Sequence, residues 1–202
     1  EIVCAMDTRL ARRSDGLEVE LLVPPGADMT LPLRSIGVRT AGRLKGHPWE
    51  QVSLPMEIEG GLLSLCNTGP LAVRRQIVCI HDMNTRHCPE SYSLAFRVLY
   101  RTLVPALGRR AGMIATVSEY SATELVRFGV CPVQKLFVAP NGHEHVRRWT
   151  PAPAAGQLAV PARDTIVLLG SPAPHKNIGI ITGMAERLAA AGLRLAVVGA
   201  LD

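Results

Sequence analysis

Lys176 and Asn177 follow an arrangement that could hold a phosphate. An apolar run, Ile166 to Leu169, leads to Gly170-Ser171, then to a short loop carrying Pro172 and Pro174. The run reads as a buried strand, and Lys176-Asn177 as the start of a helix over about Asn177–Ala191. A strand feeding a helix through such a loop gathers backbone N–H groups and a cation at one point, which suits a phosphate. The helix dipole contributes roughly 0.3–1 kcal/mol at exposed sites, and a charge-assisted hydrogen bond about 1.5–3 kcal/mol. The competing reading is a surface lysine beside a loop.

Three more pairs follow strand-like runs. His81-Asp82 comes directly after QIVCI (Gln76–Ile80), read as a buried strand. Ligands of open parallel sheets sit beyond the carboxyl ends of strands. An imidazole there can donate to a sugar hydroxyl or a developing charge. Equally, His81 can tie loop backbone together while Asp82 caps a turn. Ser118-Glu119 follows MIATV (Met113–Val117). Ser118 suits a helix N-cap, and a capped N-terminus at a cleft can still face a ligand. Ser121 to Glu124 also has capping-box spacing, so the sequence leaves the cap open between the two. Asn141-Gly142 follows KLFVA (Lys135–Ala139) and reads first as a turn needing left-handed backbone.

Weaker patterns carry less. His143 and His145 flank Glu144, but no cysteine or carboxylate cluster supports a metal there. No Gly-x-Gly-x-x-Gly or Walker loop occurs, and no local motif signals a Ser-His-Asp or Cys-His arrangement. Cys79 falls inside a strand and reads as core.

The positioning elements alternate. Leu17–Val23 reads as a strand stopped by Pro24-Pro25-Gly26, and Pro24–Gly46 as irregular chain. Gly60–Leu65 is a short apolar segment before a turn at Asn67–Pro70. Ser91–Ala111 has helical spacing through Leu94, Val98, Leu99, Leu103 and Leu107, with Pro105 expected to kink or restart it. A second helix carries Leu125 and Val126 and ends at Gly129. Trp149–Pro161, rich in Pro, Ala and Gly, reads as a linker. Strand Thr165–Leu169, the helix and strand Leu193–Val198 follow. Strands alternating with helices imply parallel sheets with helices on their faces. The chain therefore reads as two Rossmann-like units joined near residue 155: a first lobe over 1–148, a linker over 149–163, and over 164–202 a first β-α-β unit too small to bury a core.

Composition narrows the classes. The 202 residues are 48% hydrophobic and 19% charged, ordinary for a globular protein. Aromatic residues make up only 4%, which disfavours single-stranded nucleic acid as a partner because stacking needs rings. The 22 basic and 17 acidic side chains give a net charge of +5. The arginines are scattered in short pairs, so a solvated basic surface competes with attraction to anionic headgroups or phosphorylated substrates. Five separated cysteines without a Cys-x-x-Cys pair argue for reduced thiols in a cytosolic compartment. No apolar run reaches the ~18 residues of a membrane span, and no secretory signal is visible. The start at Glu1 and the late strand-like run suggest a piece of a longer chain.

Four blocks, in order, resemble the retaining, nucleotide-sugar-dependent glycosyltransferases of GT-B architecture. They are VCIHD (Val78–Asp82), IATVSEYSATELVRFG (Ile114–Gly129), KLFVAPNG (Lys135–Gly142) and LLGSPAPHKNI (Leu168–Ile178). PWEQVSLP (Pro48–Pro55) and Leu62–Pro70 also resemble the first lobe of mannosyltransferase-like members. The resemblance covers roughly Pro48 to the end. It implies two Rossmann-like lobes with the active site between them, acceptor on the first and nucleotide-sugar donor on the second.

By that resemblance His81 and Asp82 would be the catalytic pair, with His81 pointing at the donor sugar. Gly170, Ser171, Lys176 and Asn177 would hold the donor diphosphate. Ser118, Glu119, Asn141 and Gly142 would line the cleft. No metal or other cofactor is expected. Where the family often carries Arg after the glycine, this chain has Ser171, as many relatives do. The family's glycine-rich first loop would precede Glu1, and its paired-glutamate motif would follow Asp202, so the isolated piece is expected to be inactive. The implied setting is synthesis of a polysaccharide, lipopolysaccharide or glycolipid, in the cytoplasm or at the inner membrane face, with a saccharide or lipid-linked acceptor and no nucleic acid. A GT-B nucleotide-sugar epimerase and a degenerate, non-catalytic nucleotide-binding module are the alternatives.

Overall fold

A computed structural model describes residues 1–27, 29–149 and 164–199. The first elements are α1 (Ile2–Leu10), β1 (Glu20–Val23), β2 (Gly37–Thr40) and the single turn α2 (Gly46–Pro48), followed by β3 (Leu62–Ser64) and β4 (Gln76–Cys79). Next come α3 (Asn84–His87), α4 (Leu94–Arg110), β5 (Met113–Thr116), α5 (Glu119–Arg127) and β6 (Leu136–Val138). The last are β7 (Thr165–Gly170), α6 (Gly179–Thr182), α7 (Ala185–Ala190) and β8 (Arg194–Gly199). The protein is thus mixed α/β, and every strand pair among the described residues is parallel. Two compact units form. One joins Glu1–Met83 to Leu99–His145, and the other joins Asn84–Val98 to the described residues from Val146 onward. Most of the predicted linker lies outside the described residues.

The first unit is built on a four-stranded sheet of order β3-β4-β5-β6. Consecutive strands lie side by side, with helices in the β4–β5 and β5–β6 crossovers, a Rossmann-like arrangement. Val78 and Ile114 are neighbours in register and fully buried. With Ile80 they pack under Leu103, Val104 and Leu107 of α4, Leu125 of α5 and Val130. The helical stripe on α4 is only half used. Leu103 and Leu107 are buried, whereas Leu94 is 71% exposed and Val98 56%. Of the two outcomes expected at Pro105, kink or restart, the restart does not occur: α4 runs through it as one helix. Ser118, not Ser121, caps α5: its Oγ accepts the Ser121 N–H at 3.1 Å.

A separate two-stranded sheet, β1-β2, corrects another expectation. Its second strand lies within the stretch read as irregular. The Asp7 carboxylate on α1 fixes the approach to β2 by accepting the backbone N–H groups of Arg34, Ser35 and Ile36 at 2.7–3.1 Å. The Ser35 N–H, foremost among these donors, holds the Asp7 carboxyl below its ordinary value of 3.8 despite the opposing effect of burial. A depressed carboxylate pKa contributes stability that is present above the unfolded value and lost as pH falls through the folded one. Asp7→Asn is therefore expected to lower stability at neutral pH and to flatten the loss below about pH 4. Urea unfolding across a pH series checks this; a variant whose acid limb is as steep as the parent's would contradict it.

In the second unit β7 and β8 pair over six residues, Thr165↔Arg194 to Gly170↔Gly199. The strand was expected, but its burial is corrected: Val167 is 59% exposed and Leu169 76%. No described residue of this unit is buried. A two-stranded ribbon with short helices offers no second layer against which both faces could pack. The helix expected over Asn177–Ala191 is also corrected. Pro174–Lys176 is a 3-10 turn, Asn177 is left-handed at φ 45°, and two short helices follow, α6 of four residues and α7 of six. Among the described residues no helix is long and apolar enough to cross a membrane.

Candidate functional site

Four loops share the carboxyl edge of the first unit's sheet. Leu65–Thr68 follows β3, His81-Asp82 follows β4, Ser118-Glu119 follows β5, and Asn141-Gly142 follows β6. Backbone and hydroxyl groups hold these strand ends level. The Thr116 hydroxyl donates to the Ile80 carbonyl at 2.7 Å, and the Ala139 N–H donates to the Thr116 carbonyl at 2.7 Å. Ligands of open parallel sheets sit beyond this kind of edge.

His81 is half-buried and held at two points. Its backbone N–H donates to Asn67 Oδ1 at 2.7 Å, and its ring Nε2 lies 2.8 Å from the Leu65 carbonyl oxygen. The ring therefore does tie loop backbone together, one of the two readings the sequence left open. The turn that holds it is itself braced. Thr68 Oγ1 donates to Glu50 Oε2 at 2.6 Å, while Gln51 Nε2 donates to the Gly69 carbonyl at 2.8 Å and Gln51 Oε1 accepts the Leu71 N–H. The blocks Pro48–Pro55 and Leu62–Pro70 meet through the Thr68 and Gly69 bonds.

Asp82 and Glu119 are exposed, and Ser118 is half-buried with its hydroxyl engaged by Ser121. Asn141 and Gly142 are exposed too, but their expected left-handed geometry is not found. Among the described residues, Asn67 and Asn177 are the non-glycine residues with positive φ, at 60° and 45°. The Glu144 carboxylate is turned back on the local backbone. N–H bonds from its own residue and then His143 hold its pKa below the ordinary value. Among the described residues no three His, Cys, Asp or Glu side chains stand where they could share a metal ion. None of the five cysteines is paired, and burial pushes the Cys79 and Cys131 thiols up, so both stay protonated at neutral pH.

In the second unit Gly170 ends β7 opposite Gly199 at the end of β8. A Cβ on Gly199 would meet the Gly170 carbonyl oxygen at 2.9 Å, so this strand-end pair is bare backbone. Ser171 Oγ accepts from the Ala173 N–H at 3.4 Å, shaping the loop. Lys176 is exposed, and its ammonium group has no partner among the described residues. It closes a 3-10 turn and does not open a long helix, so the dipole part of the phosphate argument falls away and the cation remains.

The sequence missed what pins this loop. His175 Nδ1 lies 3.0 Å from Ser91 Oγ, and its ring stacks at 6.2 Å and 8° on Tyr92, which stacks in turn on Phe96. These partners are 84 positions apart, and no local pattern announces them. Elsewhere, a wide groove of about 1780 Å³ lies between the α1, β1 and β2 region and Leu63, Ile77 and Met113 of the larger sheet. That exceeds the ~300–1,000 Å³ of a formed small-molecule pocket, and marks an uncovered sheet face.

Fold and site together define a Rossmann-like α/β protein with candidate ligand loops at the carboxyl ends of parallel strands. The chain matches no family model and no curated protein.

Proposed function

We propose that this chain is part of a retaining glycosyltransferase of GT-B architecture, moving a sugar from a nucleotide-diphosphate donor to an acceptor hydroxyl. The observation that carries the reading is Lys176, a cation without a protein partner among the described residues, on a braced loop beyond the carboxyl end of a parallel strand. The resemblance of the four sequence blocks supports it.

In this reading the bond between the anomeric carbon and the diphosphate oxygen breaks, and the acceptor oxygen bonds the same face of that carbon. The acceptor's proton leaves with the diphosphate or to solvent. Lys176 offsets the charge growing on the leaving diphosphate, the role a metal ion fills in other transferases. Gly170, Ser171 and Asn177 shape the loop, His81 faces the sugar, and Ser118, Glu119, Asn141 and Gly142 border the edge. The acceptor is a saccharide or lipid-linked saccharide, met in the cytoplasm or at a membrane face. A non-catalytic nucleotide-binding module is the second reading, favoured by the engagement of His81 Nε2 with backbone.

Calorimetry with ADP, GDP and UDP tests the site. One of them is expected to bind, and Lys176→Ala to weaken that binding tenfold or more, about 1.4 kcal/mol. Absence of binding by all three, or an unchanged affinity in the variant, would remove the assignment. Nucleotide binding by a longer parent that transfers no sugar from any nucleotide-sugar would favour the second reading.

A further inference from the structure

The two contacts on His81 decide what its ring can offer a ligand. The acceptor facing Nε2 is the Leu65 carbonyl oxygen, 2.8 Å away. A carbonyl oxygen only accepts, so Nε2 carries the hydrogen. In a neutral imidazole the other nitrogen, Nδ1, then holds a lone pair and no hydrogen.

We propose that the Leu65–Thr68 turn is a positioning device that locks His81 in the Nε2–H tautomer and presents Nδ1 as an acceptor for a ligand hydroxyl. The inference rests on the donor-sugar reading of His81 and sharpens it. The ring takes a hydrogen bond from the hydroxyl and gives none. Phosphate and carboxylate oxygens, which only accept, do not fit at that atom of a neutral ring.

Asn67 is the residue through which the turn acts. Its N–H donates to the Cys79 carbonyl at 2.8 Å, and its Oδ1 accepts from the His81 N–H at 2.7 Å. Asn67 makes both bonds from the left-handed region, φ 60°, a conformation asparagine visits more readily than most residues. The carboxylate of Glu50 and the amide of Gln51, bonded to Thr68, Gly69 and Leu71, keep the turn from sliding along the strand end.

Nitrogen NMR of the chain labelled with ¹⁵N-histidine reads the tautomer directly. The spectrum is recorded near pH 8.5, about two units above the ordinary imidazole pKa of ~6.5. The His81 signals are those missing from His81→Gln. The expected pattern is a protonated Nε2 and a bare Nδ1; a protonated Nδ1, or an equal mixture, would overturn the proposal. Asn67→Gly keeps positive φ available but removes Oδ1, whereas Asn67→Asp keeps an acceptor there. The Nδ1–H share should rise severalfold in the glycine variant and stay near the parent's in the aspartate variant. Equal shares in all three chains would strip Asn67 of its role. The measurement uses no nucleotide, so failure of nucleotide binding at Lys176 and failure of this inference are separate results.

Discussion

Gly108→Ala is expected to destabilise the chain by about 3 kcal/mol or more, beyond the usual cost of one added methyl in a core. Gly108 is buried on α4, where the helix crosses the segment after α5. A Cβ there would fall 2.0 Å from the Val130 carbonyl oxygen, 2.7 Å from its carbonyl carbon and 2.9 Å from its Cγ1. The first two are backbone atoms, so no rotamer change relieves the clash. Nor can the Val130 segment retreat. Its N–H is bonded to the Leu125 carbonyl at 2.9 Å, and both side chains are fully buried in the core. The helix must lift off the sheet, opening the layer that holds Leu103, Val104 and Leu107. Gly60→Ala is the matched control, because nothing lies within 4 Å of its Cβ position and its φ is ordinary. Urea denaturation of both variants checks the claim. A loss under about 1 kcal/mol for Gly108→Ala would show that α4 can shift at little cost.

The sequence made the first unit's central elements legible because each carries its own local signal. QIVCI and MIATV are apolar runs that stop at polar pairs, and Ser118 precedes a helix ended by Gly129, which sits at φ 65°. Other elements lack such signals. β2 is Gly-Val-Arg-Thr with three of four residues exposed, so its strand character comes from pairing with β1 and from Arg39, bonded to Glu20 and Glu57. The helix expected after Lys176 rests on its place behind a strand and a proline-bearing loop. Its interruption comes from Asn177 in the left-handed region and a break between Thr182 and Ala185.

The candidate site divides in the same way. Residues that follow strands are found by position alone. What orients them is not, since Asn67 and Leu65 reach His81 from 14 and 16 positions away, and Ser91 reaches His175 from 84. Burial was misjudged for β7 on similar grounds. Apolar composition states what a strand would bury, and only a second layer decides whether it does.

Pro105→Ala should stabilise the chain by about 2 kcal/mol. Proline inside a helix removes one backbone bond and presses its ring against the carbonyl four residues earlier, costing about 3 kcal/mol. Here that carbonyl belongs to Arg101, which is exposed, so water can take the unmet acceptor, and α4 runs through without restarting. Alanine would restore the N–H donor to Arg101 and relieve the ring contact. Two effects reduce the gain. Proline stiffens the unfolded chain, worth about 0.4–1 kcal/mol, and the half-buried ring gives up some packing. The balance still favours alanine, because the contacts that fix α4, through Leu103, Val104 and Leu107, lie on side chains the substitution leaves alone. A thermal or urea midpoint that rises, with an unchanged denaturant slope, is the expected result. A lower midpoint would mean that the ring, rather than the helix that tolerates it, is what the core is packed around.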